Sequence, residues 1–404
     1  MKIQMKVVSF CHYLQGPACT QYLADMGAEV IKIEPLRGAF ERHWSGGHSY
    51  VNGVSAFMMS ANRNKQSLAV DLKQARGREI VLRLIDEADV VIENFRPGVL
   101  DRLGLGADTL RRRKPSLIYA SASGLGSSGP AASRPGQDLL MQARSGLIAA
   151  TGGGTDGPSA VGAAVVDQHG GALLAMGILG AYVRRLQTGE GTRVEGSLFA
   201  AGIDLQTEAL TKYYAVAGRG KVFERDRHVG SWYHDAPYGV YRLRDCHIVL
   251  SMNDPVRLAD ALDSEALRAL QGIDRYAERD RYARAVAAEL APRGFAELSA
   301  AFDAHAIWHE RVQNYDELLA DPQARHNEAF REIDVRGGKA LLVNHPLRYD
   351  GELPAMRCMP FDAGSDSVSI LAGLGIEGAE LDALVRDGVI GVPGDPGLPG
   401  VPKS

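Results

Sequence analysis

The sequence predicts an α/β protein, with a mostly parallel sheet flanked by helices and a smaller α+β domain from which the chain returns to the first. From the N-terminus, short apolar runs alternate with amphipathic segments, the pattern of β-α-β units. Near Gly218 the composition shifts toward aromatic and β-branched residues with polar breaks, which suggests short antiparallel strands. The 404 residues, 45% hydrophobic and 23% charged, are enough for two structural units.

The first strand is VVSF, followed by the helical PACTQYLADMG; EVIKIE follows as the second strand. LKQARGREIVLRLIDEA then reads as a helix, DVVIEN as a strand, VLDRLG and LRRRK as helical pieces, and SLIYASAS as another strand. Ligands of such sheets bind at the carboxyl ends of the strands. A helix is expected from about Asp138 to Ala149, then the loop TGGGTDGPSA, then a long helix from about Gln168 to Gln187. DPVRLADAL, DRYARAVAAELA and GFAELSAAF have helical spacing within the smaller domain. The expected division is a large domain of residues 1–215 and 326–390 and a small one of 225–325. The tail 391–404, GVPGDPGLPGVPKS, repeats Gly-x-Pro too few times for a triple helix and reads as a disordered end.

A formal charge of −4 gives no sign of a nucleic-acid surface or a polybasic membrane anchor. The four cysteines are scattered without a CxxC pair, which fits a reducing cytoplasmic setting and no metal site. The N-terminus lacks an apolar core followed by small residues, and ALLAMGILGAYV is too short to span a bilayer. A soluble, non-secreted protein is expected.

GLGSSG, Gly124–Gly129, matches a dinucleotide fingerprint literally, but Pro130 and SRPG follow where a helix should open. A tight loop near a ligand fits better than a nicotinamide site. Arg37, Arg42, Arg63, Lys65, Lys73, Arg96 and Arg102 cluster where a parallel sheet presents its loops. Singly each is an ordinary surface charge; together they suit an elongated phosphate-bearing ligand. Asp167 precedes a helix rich in small residues, where an acid serves as an N-cap or as an anion held near backbone N–H groups, and the two roles are compatible. His169 lies about 200° around that helix from Asp167, so the two form no simple acid–base pair. His12, His228 and His234 read as loop or core histidines.

QGPACTQYLADMGAEVIKIEPLRG, NRNKQSLAVDLK, VIENFRPGVLDRLG, GQDLLMQARSGL, GAAVVD and TGEGTRVEGSLF, in this order and spacing, resemble the class III coenzyme A transferases, the CaiB/BaiF family, over nearly the whole chain. The resemblance implies a Rossmann-like large domain built from both chain ends, a smaller domain, and a homodimer of two interlocked, ring-like subunits. It implies that Asp167 is the nucleophile and that CoA is held by Gln15, Arg37, Val70, Lys73, Asn94, Phe95 and Arg102. CoA and its acyl-CoA come and go as substrates, with no permanently bound cofactor.

A carboxylate with an ordinary pKa near 3.9 is ionised at neutral pH and attacks a thioester without a general base. The implied activity is CoA transfer between an acyl-CoA, with succinyl-CoA or another short dicarboxylic acyl-CoA first in line, and a free carboxylic acid. The family's racemases carry a histidine before the acid of the GxD motif, and its formyl-CoA transferases a tyrosine. Here Gln137 stands before Asp138, and an amide cannot act as the racemase base. An α-methylacyl-CoA racemase and a non-catalytic CoA-binding homologue are the alternatives. HVGSWYHDAP holds one glycine where formyl-CoA transferases have a glycine-rich loop, which argues against formate and oxalate as substrates. Gln137 then becomes a candidate for binding a substrate carboxylate, and Trp232 or Tyr233 for closing the site.

Overall fold

The structure is a computed structural model that describes residues 3–152, 157–215 and 223–394. The middle of TGGGTDGPSA and the last ten residues of the Gly/Pro tail lie outside the described residues. The chain forms two units, one of Met1–Met141, Ala164–Gly202 and Gln323–Ser404, the other of Gln142–Ala163 and Ile203–Pro322.

The first unit is built on strands β1 (Lys6–Phe10), β2 (Glu29–Glu34), β3 (Lys65–Val70), β4 (Val90–Glu93), β5 (Ile118–Ser123) and β6 (Arg193–Ser197). Its helices include α1 (Gln15–Asp25), α2 (Ala75–Glu87), α3 (Asp138–Arg144), which runs into the second unit, and α4 (Val165–Thr188). The sheet order is Ile390–Gly391, β3, β2, β1, β4, β5, β6. Every pair among β1–β6 is parallel, and Ile390–Gly391 runs antiparallel to β3. The order 3-2-1-4-5-6 is that of doubly wound sheets, whose crevice opens between β1 and β4.

Both faces are covered, which is why the strands read as continuous apolar runs. Val8, Ile31, Leu68 and Val91 point to one side, against Ile80, Val81, Leu84 and Ile85 of α2. Val7, Val30, Val90 and Ile92 point to the other, where Leu23 of α1 and Leu174 and Ile178 of α4 pack. The glycines of α4 bring it against α1: a Cβ on Gly171 would sit 2.9 Å from the Gln15 carbonyl oxygen and 3.0 Å from Ala18 Cβ.

Three sequence expectations shift. The helix expected over 138–149 is two, α3 and Leu147–Thr151, because Gly146 between them adopts a left-handed φ of 88°. α4 starts at Val165, earlier than expected, so Asp167 lies inside it. The tail expected from 391 begins in the sheet, since Gly391 pairs with Ala69 and Ile390 with Val70.

In the second unit, Gly239–Arg242, His247–Leu250 and His309–Arg311 form the antiparallel sheet anticipated from the aromatic and β-branched segment. Tyr241, Ile248, Leu258, Tyr282, Val286 and Phe302 fill its core. Residues 142–163 and 203–215, which the sequence kept with the large domain, group here by contact. Gln206 Nε2 donates to the Ser145 carbonyl at 3.1 Å and Arg225 Nη2 to that of Ala150 at 3.2 Å, tying these segments together. Among the described residues no helix is long and apolar enough to cross a membrane.

Candidate active site

Helix α4 begins without a cap of its own. Its N-cap position is Ala164, which has no side chain to accept the first N–H groups, and Asp167 is the third helical residue rather than the cap. The cap comes from another helix: Asp138 Oδ1 accepts from Val166 N at 2.8 Å and from Asp167 N at 3.0 Å. Asp138 is carried there by a close crossing of two glycines. A Cβ on Gly124, just past β5, would lie 2.6 Å from Gly136 Cα. GLGSSG is therefore a loop that lets backbone approach backbone, and no helix opens within it.

The Asp167 carboxylate accepts the Gln15 N–H from the start of α1. Burial first, and the neighbouring Asp138 second, push the Asp167 carboxyl up to about 7, with the Gln15 N–H opposing them. The ordinary carboxylate pKa expected from the sequence does not hold. At neutral pH this acid is poised between its two forms. Gln15 itself is 4% exposed, and its Nε2 finds no hydrogen-bond partner among the described residues. That nitrogen lies over Gly170, where a Cβ would approach it to 2.7 Å.

The sheet's crevice is clamped by Asn94, which follows β4: its Nδ2 donates to the His12 carbonyl at 2.6 Å and its Oδ1 accepts from His12 N at 3.0 Å. The Phe95 ring lies 4.7 Å from that of His12, tilted 59° to it. Arg37, Lys73, Arg96 and Arg102 are exposed on loops and helix ends of the same unit. Val70 is 2% exposed, with its side chain in the core and its backbone within the sheet, paired with Ile390.

Three of the basic residues grouped from sequence are internal instead. Arg42 Nε and Nη2 bond both oxygens of Glu34, at 2.7 and 2.6 Å. Burial alone would raise the Glu34 pKa, but Arg42, Lys32 and the Ala39 N–H bring it down to about 2. Arg63 grips Asp25, with Nη2 2.6 Å from Oδ2. Lys65 donates to the carbonyls of Pro17 and Ala61 and to Asn62 Oδ1, at 2.9, 2.7 and 3.0 Å. Spacing alone cannot tell such a buried pair from a free surface cation.

Sequence reasoning missed a run of aromatic rings on the loops after β1 and β2. Tyr13 and Phe40 lie 5.0 Å apart, Phe40 and Trp44 5.7 Å, and Trp44 and Phe57 5.4 Å. Tyr13, Phe40 and Trp44 are 43–48% exposed, while Phe57 packs against Leu14, Ala18 and Ala61, as does Ala164, the cap position of α4. The signal was available: large aromatics in CHYLQGP and GAFERHW, within loops where polar residues are expected.

Gln137 is exposed immediately before α3. In the second unit, Trp232 is 2% exposed among Tyr213, Phe223 and Tyr233. Its ring is enclosed by these neighbours. Tyr233 is half-buried, its hydroxyl 3.4 Å from Glu208 Oε2 and its ring under Lys212 Nζ at 4.4 Å.

Fold and site define a doubly wound α/β protein with a perturbed carboxylate at a helix start and a clamped crevice at the sheet's switch point. The family model of CoA-transferase family III matches residues 3–366, and the chain belongs to that family, as the sequence resemblance implied. An acetyl-CoA:oxalate CoA-transferase of Acetobacter aceti is 31% identical over 85% of this chain and 88% of its own. A succinate–glutarate CoA-transferase of Agrobacterium fabrum is 29% identical, over 87% and 92%. The crystal structure of a CaiB/BaiF family protein from Brucella suis superposes with a TM-score of 0.78 at 27% identity, covering 92% of this chain and 98% of that one. The protein is thus a class III CoA-transferase in kind.

Proposed function

We propose that Asp167 is the nucleophile of a transfer of CoA from an acyl-CoA to a free carboxylic acid. The observation that carries this reading is the Asp167 carboxylate, half-buried, poised near neutrality and bonded by the Gln15 N–H. Its oxygen attacks the thioester carbonyl, the C–S bond breaks, and a mixed anhydride and CoA thiolate result. The thiolate attacks the aspartyl carbonyl and expels the donor acid, leaving an aspartyl-CoA thioester. The acceptor carboxylate then attacks that thioester, and the thiolate returns to the acceptor's acyl carbon, freeing Asp167. The orphaned Gln15 Nε2, which lies over Gly170 one turn along α4, supports a role for Gln15 as donor to the oxyanion formed in these steps.

Arg37, Lys73 and Arg102 hold the charged nucleotide end of CoA, the Val70 backbone lines it, and Asn94 and Phe95 line the crevice. Gln137 meets a substrate carboxylate, and Tyr233 remains the candidate for closing the site. Succinyl-CoA or another short dicarboxylic acyl-CoA is the donor to try first, in keeping with the acids in the name of the succinate–glutarate relative; the oxalate relative's name pairs its acid with acetyl-CoA instead. The ring run from Tyr13 to Phe57 adds an apolar wall suited to an acyl chain. A cytoplasmic homodimer of interlocked subunits completes the reading. In support, Met176, Val183 and Leu186 of α4 are 54–70% exposed in the single chain, an apolar stripe that a second copy would cover.

A matrix of acyl-CoA donors against carboxylate acceptors, followed by CoA redistribution, tests the transfer. Exchange of α-hydrogen for solvent deuterium with no acceptor present would point to a racemase, and binding without turnover across the matrix to a non-catalytic CoA-binding protein.

A further inference from the structure

The transfer chemistry has no step for Asp138, yet this residue grips the helix end that carries the nucleophile. The N–H groups of a first helical turn need acceptors, and a side chain at the N-cap normally supplies one to the second or third residue. Ala164 supplies none. A carboxylate at the third position commonly folds back to bond the cap's own N–H. Asp167 stands at that position, but its carboxylate is bonded from α1, by Gln15 N–H. The N–H groups of Val166 and Asp167 go to Asp138 Oδ1 instead.

We propose that Asp138 is a positioning residue for Asp167: it caps α4 from a separate helix, so that the Asp167 side chain is turned outward as a nucleophile instead of serving as part of the cap. The proposal rests on the reading of Asp167 as nucleophile. The groups acting on the Asp167 carboxylate are the Asp138 carboxylate from α3 and the uncharged Gln15 N–H from α1. A second anion so close raises proton affinity, and a more basic carboxylate is the stronger nucleophile once ionised. The crossing of Gly124 and Gly136 fixes where Asp138 can reach, so position and charge are set by the same backbone feature.

The test uses the full-length enzyme with Asp138→Asn, which keeps an acceptor oxygen but no charge, and Asp138→Ala, which keeps neither. Three readouts are taken: the pH midpoint for modification of Asp167 by a carbodiimide and an amine, followed by peptide mass spectrometry; hydrogen–deuterium exchange of the peptide 165–170; and kcat. Asp138→Asn lowers the midpoint by about one pH unit. Asp138→Ala speeds exchange about tenfold and costs at least about tenfold more kcat than Asp138→Asn. An unmoved midpoint in Asp138→Asn, or unmoved exchange in Asp138→Ala, overturns the proposal. Failure of the nucleophile reading shows separately, as turnover that survives Asp167→Ala.

Discussion

Asn94 holds His12 by both edges of its amide, donating to the carbonyl at 2.6 Å and accepting from the N–H at 3.0 Å across the switch point of the sheet. The ladder between β1 and β4, which ends at Phe10 and Glu93, is thereby continued by side-chain bonds into the turn leading to Gln15. Asn94→Ala removes both bonds. The expected outcome is a KM for acyl-CoA raised about tenfold with a smaller change in kcat, measured by steady-state kinetics with a good donor. Asn94→Asp keeps the acceptor but loses the donor and should fall between the two.

The Asp167 pKa gives a pH dependence with a definite sign. Attack requires the carboxylate, so kcat/KM should fall about tenfold per unit as pH drops below the midpoint near 7. Stability runs the other way. Between the unfolded value of 3.8 and about 7 the folded state binds more protons than the unfolded one, so stability declines as pH rises through that window. Asp167→Asn should therefore be inactive yet more stable than the wild type by about 1–3 kcal/mol at pH 8, and equal to it at pH 4. Thermal unfolding at the two pH values checks this.

The buried pair of Arg42 and Glu34 makes the opposite prediction. Arg42→Leu leaves the Glu34 carboxylate, which is fully buried, without its guanidinium partner. A loss of about 3–5 kcal/mol is expected, seen as a lower denaturant midpoint. A drop of that size, with CoA affinity unchanged in the protein that stays folded, separates Arg42 from the exposed Arg37, proposed above as a CoA contact.

Gly170 and Gly171 should respond differently to alanine. At Gly170 the new methyl meets the movable end of Gln15, at 2.7 Å. At Gly171 it meets backbone, the Gln15 carbonyl oxygen at 2.9 Å and Cys19 N at 3.2 Å. Alanine favours a helix over glycine by about 1 kcal/mol, which offsets the first contact but not the second. Gly170→Ala is expected to keep stability and lose activity by displacing Gln15, while Gly171→Ala loses about 1–3 kcal/mol. Paired unfolding and activity assays distinguish them.

Much of the first unit was legible because its strands are buried on both faces and its helices are strongly periodic; VVSF, EVIKIE and DVVIEN are all strands of the central sheet. Strand order was not legible, since it depends on which edges pair. Of the candidate site, the helix start that carries Asp167 was legible because its signal is local, while contacts distant in sequence were not. Nothing in the spacing shows that Arg63 is occupied by Asp25, that Trp232 is enclosed by Tyr213 and Phe223, or that Asp138 caps a helix 28 residues on. The small residues around Asp167 led to the right helix, but its first turn lacked a capping side chain, so the boundary was set too late.

Peptide mass spectrometry of Asp167 is the most direct measurement. The enzyme is incubated with an acyl-CoA in the absence of acceptor, quenched, digested and examined for the peptide that contains this residue. The nucleophile reading predicts a CoA-sized adduct on Asp167 that disappears when an acceptor acid is added and never forms in Asp167→Ala, which should also be inactive. A panel of thioesters that leaves the peptide unmodified, together with full transfer by Asp167→Ala, would contradict it.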